Sequence, residues 1–150
     1  RLSDINCALG LSQLKKINKF LKNRRKIANL YKLKLKKYNQ FITFPKYKNK
    51  DKCSANHLLV VKINFEKLLK NKEDFFLYMK KNKIICQFHY IPIFNFNIFK
   101  KKKIYNKLIG ANEYSKQCLS LPLFYNLKED EINYIVKKII NFFENYNRIN

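Results

Sequence analysis

The stretch RLSDINCALGLSQLKKI, from Arg1 to Ile17, opens the longest helical pattern in the chain. Ser3 is a typical N-cap residue, and Asp4 adds a negative charge at the positive end of a helix. Apolar residues then recur three or four positions apart as far as Tyr38, while lysines occupy the opposite face. The spacing predicts one helix over residues 3–38, about 50 Å long. Such a helix is too long for one small core, so we expect it to bridge two bodies.

Beyond this helix, strand patterns alternate with shorter helical patterns. The polar, lysine-rich stretch 40–55 indicates a loop, and 91–103 has no regular period. The order α-β-α-β-α-β-α predicts an α+β fold, in which a small sheet packs against helices. The predicted strands are 57–64, 84–89 and 119–123, and the predicted shorter helices are 72–81, 111–118 and 129–146.

The net charge of +23 suggests a nucleic-acid-binding protein, but the kind and placement of the basic residues argue against one. Only four of the 33 basic residues are Arg, the residue best suited to phosphate and base contacts. The lysines are spread along the whole chain, as in proteins encoded by AT-rich genes. A basic nucleic-acid-binding module stays open as the alternative function. Its best candidate is the run Lys100–Lys103, which lies near Phe99 and Tyr105.

The four cysteines are isolated, and no Cys-x-x-Cys pair occurs. This excludes the usual zinc and thioredoxin motifs, and with only two histidines we predict no metal site. Isolated cysteines in apolar stretches usually act as small buried hydrophobic residues. The composition therefore predicts a reduced, cytoplasmic protein, and no apolar run is long enough to cross a membrane.

Three short motifs share a resemblance to one enzyme family. They are Arg1-Leu2-Ser3-Asp4, the run QFHYIPIF at Gln87–Phe94, and the run CLSLPLF at Cys118–Phe124. Together they resemble the nucleotide-sugar aminotransferases of the DegT/DnrJ/EryC1/StrS family, which use pyridoxal 5'-phosphate (PLP). The likeness is to the subgroup that aminates a 4-keto sugar on UDP, as in pseudaminic-acid synthesis.

The resemblance implies a place for this chain within a larger enzyme. Residues 1–150 match the C-terminal small domain of a fold-type I aminotransferase, which has a long first helix and a small antiparallel sheet. The chain begins with Arg and its only Met is Met79, so we expect a fragment whose PLP-binding domain lies upstream. The Schiff-base lysine would lie there, and this chain alone would be inactive. The expected partners are a UDP-linked keto sugar, glutamate as amino donor, and a second subunit.

The same resemblance suggests roles for a few residues, and a purely structural role stays open as the alternative for each. Arg1 would lie near an anion such as the PLP phosphate, whereas Ser3 and Asp4 cap the helix. His89 and Tyr90 carry ring donors suited to sugar hydroxyls or a diphosphate, and would line the nucleotide-sugar entrance. Alternatively, both rings pack beneath the segment 93–103. No catalytic residue is assigned.

Four further positions bear on structure. We expect His57 to be structural, and Gly10 to allow close packing of another backbone. Lys83 stands where the family usually has Gly, so the turn before the second strand loses conformational freedom. Lys128 replaces a Thr or Ser N-cap, at a cost of about 1 kcal/mol.

Overall fold

The computed structural model describes residues 1–46, 54–100 and 108–144. Within these ranges it contains helices and a three-stranded sheet, which confirms the predicted α+β class. No helix in these ranges is long and apolar enough to cross a membrane. The helices are α1 (Asp4–Leu14), α2 (Ile17–Lys34), α3 (Lys72–Lys81), α4 (Asn97–Lys100), α5 (Ile109–Gln117) and α6 (Glu129–Glu144); the strands are β1 (Ile42–Thr43), β2 (Leu59–Ile63) and β3 (Cys118–Leu121).

The sheet is antiparallel, with strand order β1-β2-β3. Central strand β2 alternates as its sequence predicts, because Val61 and Ile63 are fully buried while Lys62 is exposed. Val61 lies opposite Leu119, and Ile63 lies opposite Ile42. The predicted strand 57–64 is thus confirmed with slightly shorter bounds, and the antiparallel arrangement implied by the resemblance is confirmed as well.

The predicted second strand, 84–89, is wrong. Ile84 and Cys86 are buried and Ile85 is exposed, so the alternating pattern is real. However, only Gln87 pairs with a neighbour, through an isolated bridge to Ser120. Alternation reports which side chains face a core, whereas a strand also needs a partner with free backbone groups along its length.

Strand β1 lies inside the stretch predicted as a loop, so the loop prediction 40–55 is wrong at residues 42–43. The strand is only two residues long, and Ile42 is 2% exposed. The backbone of Asn64 donates to the Phe41 carbonyl at 2.8 Å, which extends this contact by one residue. Residues 47–53 of the predicted loop lie outside the described ranges. The predicted order of elements is therefore wrong at this strand and at 84–89.

The predicted single helix over 3–38 is two helices with a turn at Lys15 and Lys16. The Lys16 N–H donates to the Gln13 carbonyl three residues back, and Lys16 provides no side-chain cap. The second helix ends at Lys34 and is followed by a 3₁₀ turn at 36–38. Its apolar residues reach the core, whereas α1 buries none of its residues. Within the described chain α2 is packed and α1 has no buried residue, so the expected bridge between two bodies stays a prediction.

The core lies between the sheet and the helices α2, α3 and α6. Edge-to-face packing of Phe75 against Phe142, with ring centroids 5.0 Å apart, joins α3 to α6. The predicted helix 72–81 has the observed bounds, and the predicted helices 111–118 and 129–146 correspond to α5 and α6. The largest fully buried side chains are Tyr31, Phe75, Phe143, Leu35, Ile42, Ile63, Leu68, Met79, Leu119, Ile132, Ile139 and Val61.

Arg24 of α2 ties distant loops to this core. Its Nη1 donates to the carbonyls of Asn56 at 3.1 Å and His57 at 3.0 Å, and reaches that of Leu123 at 3.5 Å. The imidazole of His57 itself is exposed. The contact at His57 is made by its backbone carbonyl, so the predicted structural role of the imidazole stays a prediction, and sequence reasoning did not identify Arg24.

The starts of α1 and α6 are capped in different ways. Ser3 caps α1 as predicted, its Oγ accepting from the Asn6 N–H at 3.4 Å. At α6, Lys128 offers no capping oxygen, but Glu131 Oε2 accepts from the Lys128 N–H at 2.7 Å. This is the reciprocal half of a capping box, so part of the predicted loss is recovered.

Candidate functional site

The turn from Gln87 to Pro92 carries the two residues that the sequence motif singles out. On its N-terminal side, Gln87 exchanges backbone hydrogen bonds with Ser120 of β3, at 3.1 and 2.8 Å. On its C-terminal side, Pro92 precedes a 3₁₀ turn in which Phe94 is buried. The core thus holds the turn at both ends and leaves its middle free to face a cleft.

His89 and Tyr90 occupy opposite environments at the middle of this turn. Their rings make an edge-to-face contact with centroids 5.1 Å apart, and the peptide bond between them is cis. Tyr90 is 81% exposed. Both ring nitrogens of His89 are shielded from solvent and find no hydrogen-bond partner among the described residues. The alternative that both rings pack beneath segment 93–103 is wrong for Tyr90, and for His89 it stays a prediction because residues 101–103 lie outside the described ranges.

Shielding both ring nitrogens without partners is costly. Burying a polar group that makes no hydrogen bond costs about 1–3 kcal/mol of folding free energy. Because both nitrogens are shielded in this conformation, a bound ligand, water or another part of a larger protein can pair with them only after the turn moves. His89 therefore has the unmet hydrogen-bonding capacity expected of a binding residue.

A cleft of about 660 Å³ borders this turn. It lies between the turn, the start of α3 and helix α5, and a smaller cleft of about 470 Å³ lies on the other side of Tyr90. The larger of the two is lined by His89, Tyr90, Lys72, Tyr114 and Cys118, among others. The wall thus combines a cation, an imidazole and two phenol rings, a set suited to an anionic ligand that also carries hydroxyl groups.

Lys72 is the residue at this cleft that sequence reasoning did not identify. Its Nζ donates to the Ser115 carbonyl at 2.7 Å and lies 4.2 Å from the centroid of the Phe88 ring. Burial lowers the pKa of Lys72. A signal did exist in the sequence, because a cation in the first turn of α3 is unfavourable near the helix's positive end. Among 29 lysines that signal was too weak to single it out.

Cys118 contributes an uncharged thiol to the lining of the cleft. Burial raises the pKa of its thiol, although a hydrogen bond with Tyr114 opposes the shift. Burial also raises the pKa of Cys86, to about 12. The prediction of buried cysteines is confirmed for these two and is wrong for Cys7, which is exposed. Cys53 lies outside the described residues.

Arg1 does not line either cleft beside the turn, as far as the described residues define them. It is exposed and precedes α1. The space around Gly10 is open too, since no atom lies within 4 Å of where a Cβ would stand. The close packing expected at Gly10 is therefore not made within this chain.

A further cleft, about 820 Å³, is lined by Gln87 and Ser120. Its lining is mainly apolar, and its charged side chains are Lys83, Asp130 and Glu131, so carboxylates outnumber cations there. These carboxylates would repel the phosphates of a sugar nucleotide. We therefore place the candidate site at the cleft of about 660 Å³ that His89 lines.

Comparison with known proteins agrees with the motifs. A model of the DegT/DnrJ/EryC1/StrS aminotransferase family matches residues 1–140. The UDP-4-amino-4,6-dideoxy-N-acetyl-beta-L-altrosamine transaminase of Campylobacter jejuni serotype O:2 is 33% identical over 145 residues. That of Helicobacter pylori is 32% identical over 146 residues. The alignments cover 96% and 97% of this chain, but only 38% of each relative.

Solved structures show the same partial coverage. The structure of Helicobacter pylori PseC, an aminotransferase of pseudaminic-acid biosynthesis, superposes with a TM-score of 0.81 at 30% identity. The superposed region covers 97% of this chain and 38% of PseC. An aminotransferase from Psychrobacter cryohalolentis gives a TM-score of 0.85 at 19% identity, a likeness of fold alone. The motifs, the fold and the family match agree, and the chain belongs to the DegT/DnrJ/EryC1/StrS aminotransferase family.

Proposed function

We propose that these 150 residues form the C-terminal domain of a longer, PLP-dependent nucleotide-sugar aminotransferase. The enzyme would transfer an amino group from glutamate to a UDP-linked 4-keto-6-deoxy sugar, for the synthesis of a surface polysaccharide or glycan. The names of the relatives that are 32–33% identical support this substrate class. The chain spans 38% of the length of those relatives, which supports a domain of a larger protein.

The observation that carries the proposal is the environment of His89. The half-buried His89, whose two ring nitrogens are shielded and unpaired, borders a cleft that Lys72 and Tyr90 also line. A sugar nucleotide offers matching groups, because its diphosphate is anionic and its sugar carries hydroxyls. In this proposal Tyr90 and His89 bind and orient the nucleotide sugar, and the cleft contributes no group to bond breaking.

The described residues do not form a complete PLP site. Arg1, the one residue proposed to contact the cofactor, is exposed and lies before α1. When bound, PLP would supply an electron sink for amino transfer. We assign its lysine and most of its binding groups to the remainder of the enzyme, and Arg1 to the rim of that site in a homodimer.

A chimaera tests this proposal directly. The chain would replace the matching 38% of the Helicobacter pylori relative, and amino transfer from glutamate to a UDP-4-keto sugar would be measured. We expect activity from the chimaera and none from the isolated chain, because the isolated chain lacks the cofactor domain. The isolated chain should also retain no PLP after borohydride reduction.

Two results would overturn the proposal. One is a stable reduced PLP adduct at a single lysine of the isolated chain, which would show that the cofactor domain is not missing. The other is a folded, PLP-loaded chimaera that aminates no nucleotide sugar. Should the chimaera fail to fold, the response of the His89 ring to UDP in the isolated chain decides the substrate class.

A further inference from the structure

One ammonium group joins three separate pieces of the candidate site. Lys72 is the first residue of α3, and its Nζ donates to the carbonyl of Ser115 in α5 at 2.7 Å. The same Nζ lies 4.2 Å from the ring centroid of Phe88, the residue directly before His89. Phe88 also packs against Phe76 of α3, with centroids 5.0 Å apart. The lysine therefore contacts both walls of the cleft and the turn between them.

The backbone of this turn leaves its middle poorly fixed. The nearest backbone hydrogen bonds in the described chain are the Gln87–Ser120 pair on one side and that from Asn95 N–H to the Pro92 carbonyl on the other. Between them, side-chain contacts decide where the His89 ring lies. A cation above an aromatic ring is attracted to its face, more strongly when both are shielded from water.

Resting on the function proposed above, we propose that Lys72 is the positioning residue of the nucleotide-sugar site. It holds the Phe88 ring against α3 and α5, and so fixes the His89 imidazole at the cleft. Its charge also favours an anionic group there, such as the diphosphate of a sugar nucleotide. The competing interpretation is that Lys72 merely stabilises the fold, as many half-buried lysines do.

The chain has two histidines, so few ring signals have to be assigned in the test. The described residues close a core of their own, so the isolated chain can be used. Proton NMR gives separate ring signals for His57 and His89, and a His57→Gln variant assigns them. Pyrophosphate is the anion probe, titrated at about 0.3 M salt to screen the surface lysines. The variants are Lys72→Met, Lys72→Arg and, as a charge-matched control, Lys80→Met in the exposed last turn of α3.

We expect Lys72→Met to shift the His89 ring signal and to weaken pyrophosphate binding about tenfold, the size of one lost charge-assisted hydrogen bond. Lys72→Arg should restore both, because a guanidinium keeps the charge and stacks on aromatic rings. Lys80→Met should change neither. If Lys72→Met does not fold, Phe88→Leu removes the ring contact alone and should likewise weaken pyrophosphate binding.

The proposal is overturned if a folded Lys72→Met chain, or Phe88→Leu in its place, matches Lys80→Met in both the His89 signal and pyrophosphate affinity. A lower unfolding temperature with an unmoved His89 signal would likewise make Lys72 a purely structural residue. A His89 shift in a chain that binds no pyrophosphate would support the positioning role and contradict the diphosphate part of the proposed function.

Discussion

His89 and Tyr90 allow the sharpest test at the scale of single residues. In an active chimaera, we expect His89→Ala or Tyr90→Phe to weaken nucleotide-sugar use more than the half-reaction with glutamate. The amino donor would meet mainly the PLP face, whereas this turn would border the sugar-nucleotide entrance. Losing one hydrogen bond to a charged diphosphate should cost about 1.5–3 kcal/mol. In kcat/KM that is about a tenfold to hundredfold loss.

The matched control is His57→Ala, because His57 is the other histidine and its ring is exposed. Equal losses in both half-reactions would mean that His89 supports the fold. No loss at all would mean that the motif marks ancestry and not the site. Arg1→Ala should differ from both variants by weakening PLP retention, if Arg1 faces a phosphate in the assembled enzyme.

Lys83 shows the cost of an unsuitable residue in a turn. Its φ is +59°, in the left-handed region that favours glycine. The sequence prediction that this position suits Gly is therefore matched by the backbone. We expect Lys83→Gly to stabilise the chain by about 0.5–1 kcal/mol, since a non-glycine residue is strained there.

Urea unfolding of the isolated chain measures this change. Lys81→Gly is the control, because Lys81 lies in the last turn of α3 with helical backbone. There glycine should destabilise by up to about 1 kcal/mol. If both variants shift the unfolding midpoint in the same direction, local backbone conformation is not what decides the effect.

At the scale of elements, α1 is the part of the chain that lacks a partner. All of its residues are exposed, including Leu11 at 57% and Leu14 at 60%. Exposed apolar surfaces of this kind mark interfaces. We expect the isolated chain to self-associate through α1 in spite of its net charge of +23.

Light scattering after size exclusion tests this expectation. A double variant, Leu11→Gln with Leu14→Gln, should be more monomeric than the unmodified chain. Leu77→Gln in α3 is the control, since Leu77 is 61% exposed but lies outside α1. A monodisperse monomer of the unmodified chain, or an equal effect of the control, would contradict the assignment.

The break between α1 and α2 shows what helical period cannot report. Leu14, Ile17 and Leu21 keep the spacing of three and four across the turn, so the pattern continues while the hydrogen bonding changes. No residue of α1 is buried, whereas Ile27 and Tyr31 in the second half of α2 are in the core. A continuous apolar face along a helix does not show whether one domain or two separate domains pack against it.

At the scale of the whole molecule, the nucleic-acid alternative suggested by the basic charge stays a prediction. The run Lys100–Lys103, its best candidate, lies largely outside the described residues. The described lysines that make specific contacts make them singly. For example, the Lys70 Nζ lies 4.2 Å from the centroid of the Phe142 ring. The family match covers residues 1–140 and accounts for the motifs without a polyanion partner.

Local sequence determined the elements whose signals are short-range. The helix 72–81 has an Asn71–Asp74 capping box at its start and an apolar face that carries Phe75 and Met79, so its bounds follow from neighbouring residues. The strand 57–64, the helix from Glu129 and the fold class follow in the same way. The motifs around Arg1 and His89 determined the family.

Only the tertiary structure decided the contacts between residues far apart in the chain. Strand β1 exists because Ile42 finds Ile63, and residues 84–89 fail as a strand because only Gln87 finds a partner. The Lys72 ammonium meets Ser115 across 43 positions, and no local pattern encodes that distance. Capping and periodicity act within a few residues, whereas strand pairing and the walls of a cleft depend on which distant backbone groups the packed core brings together.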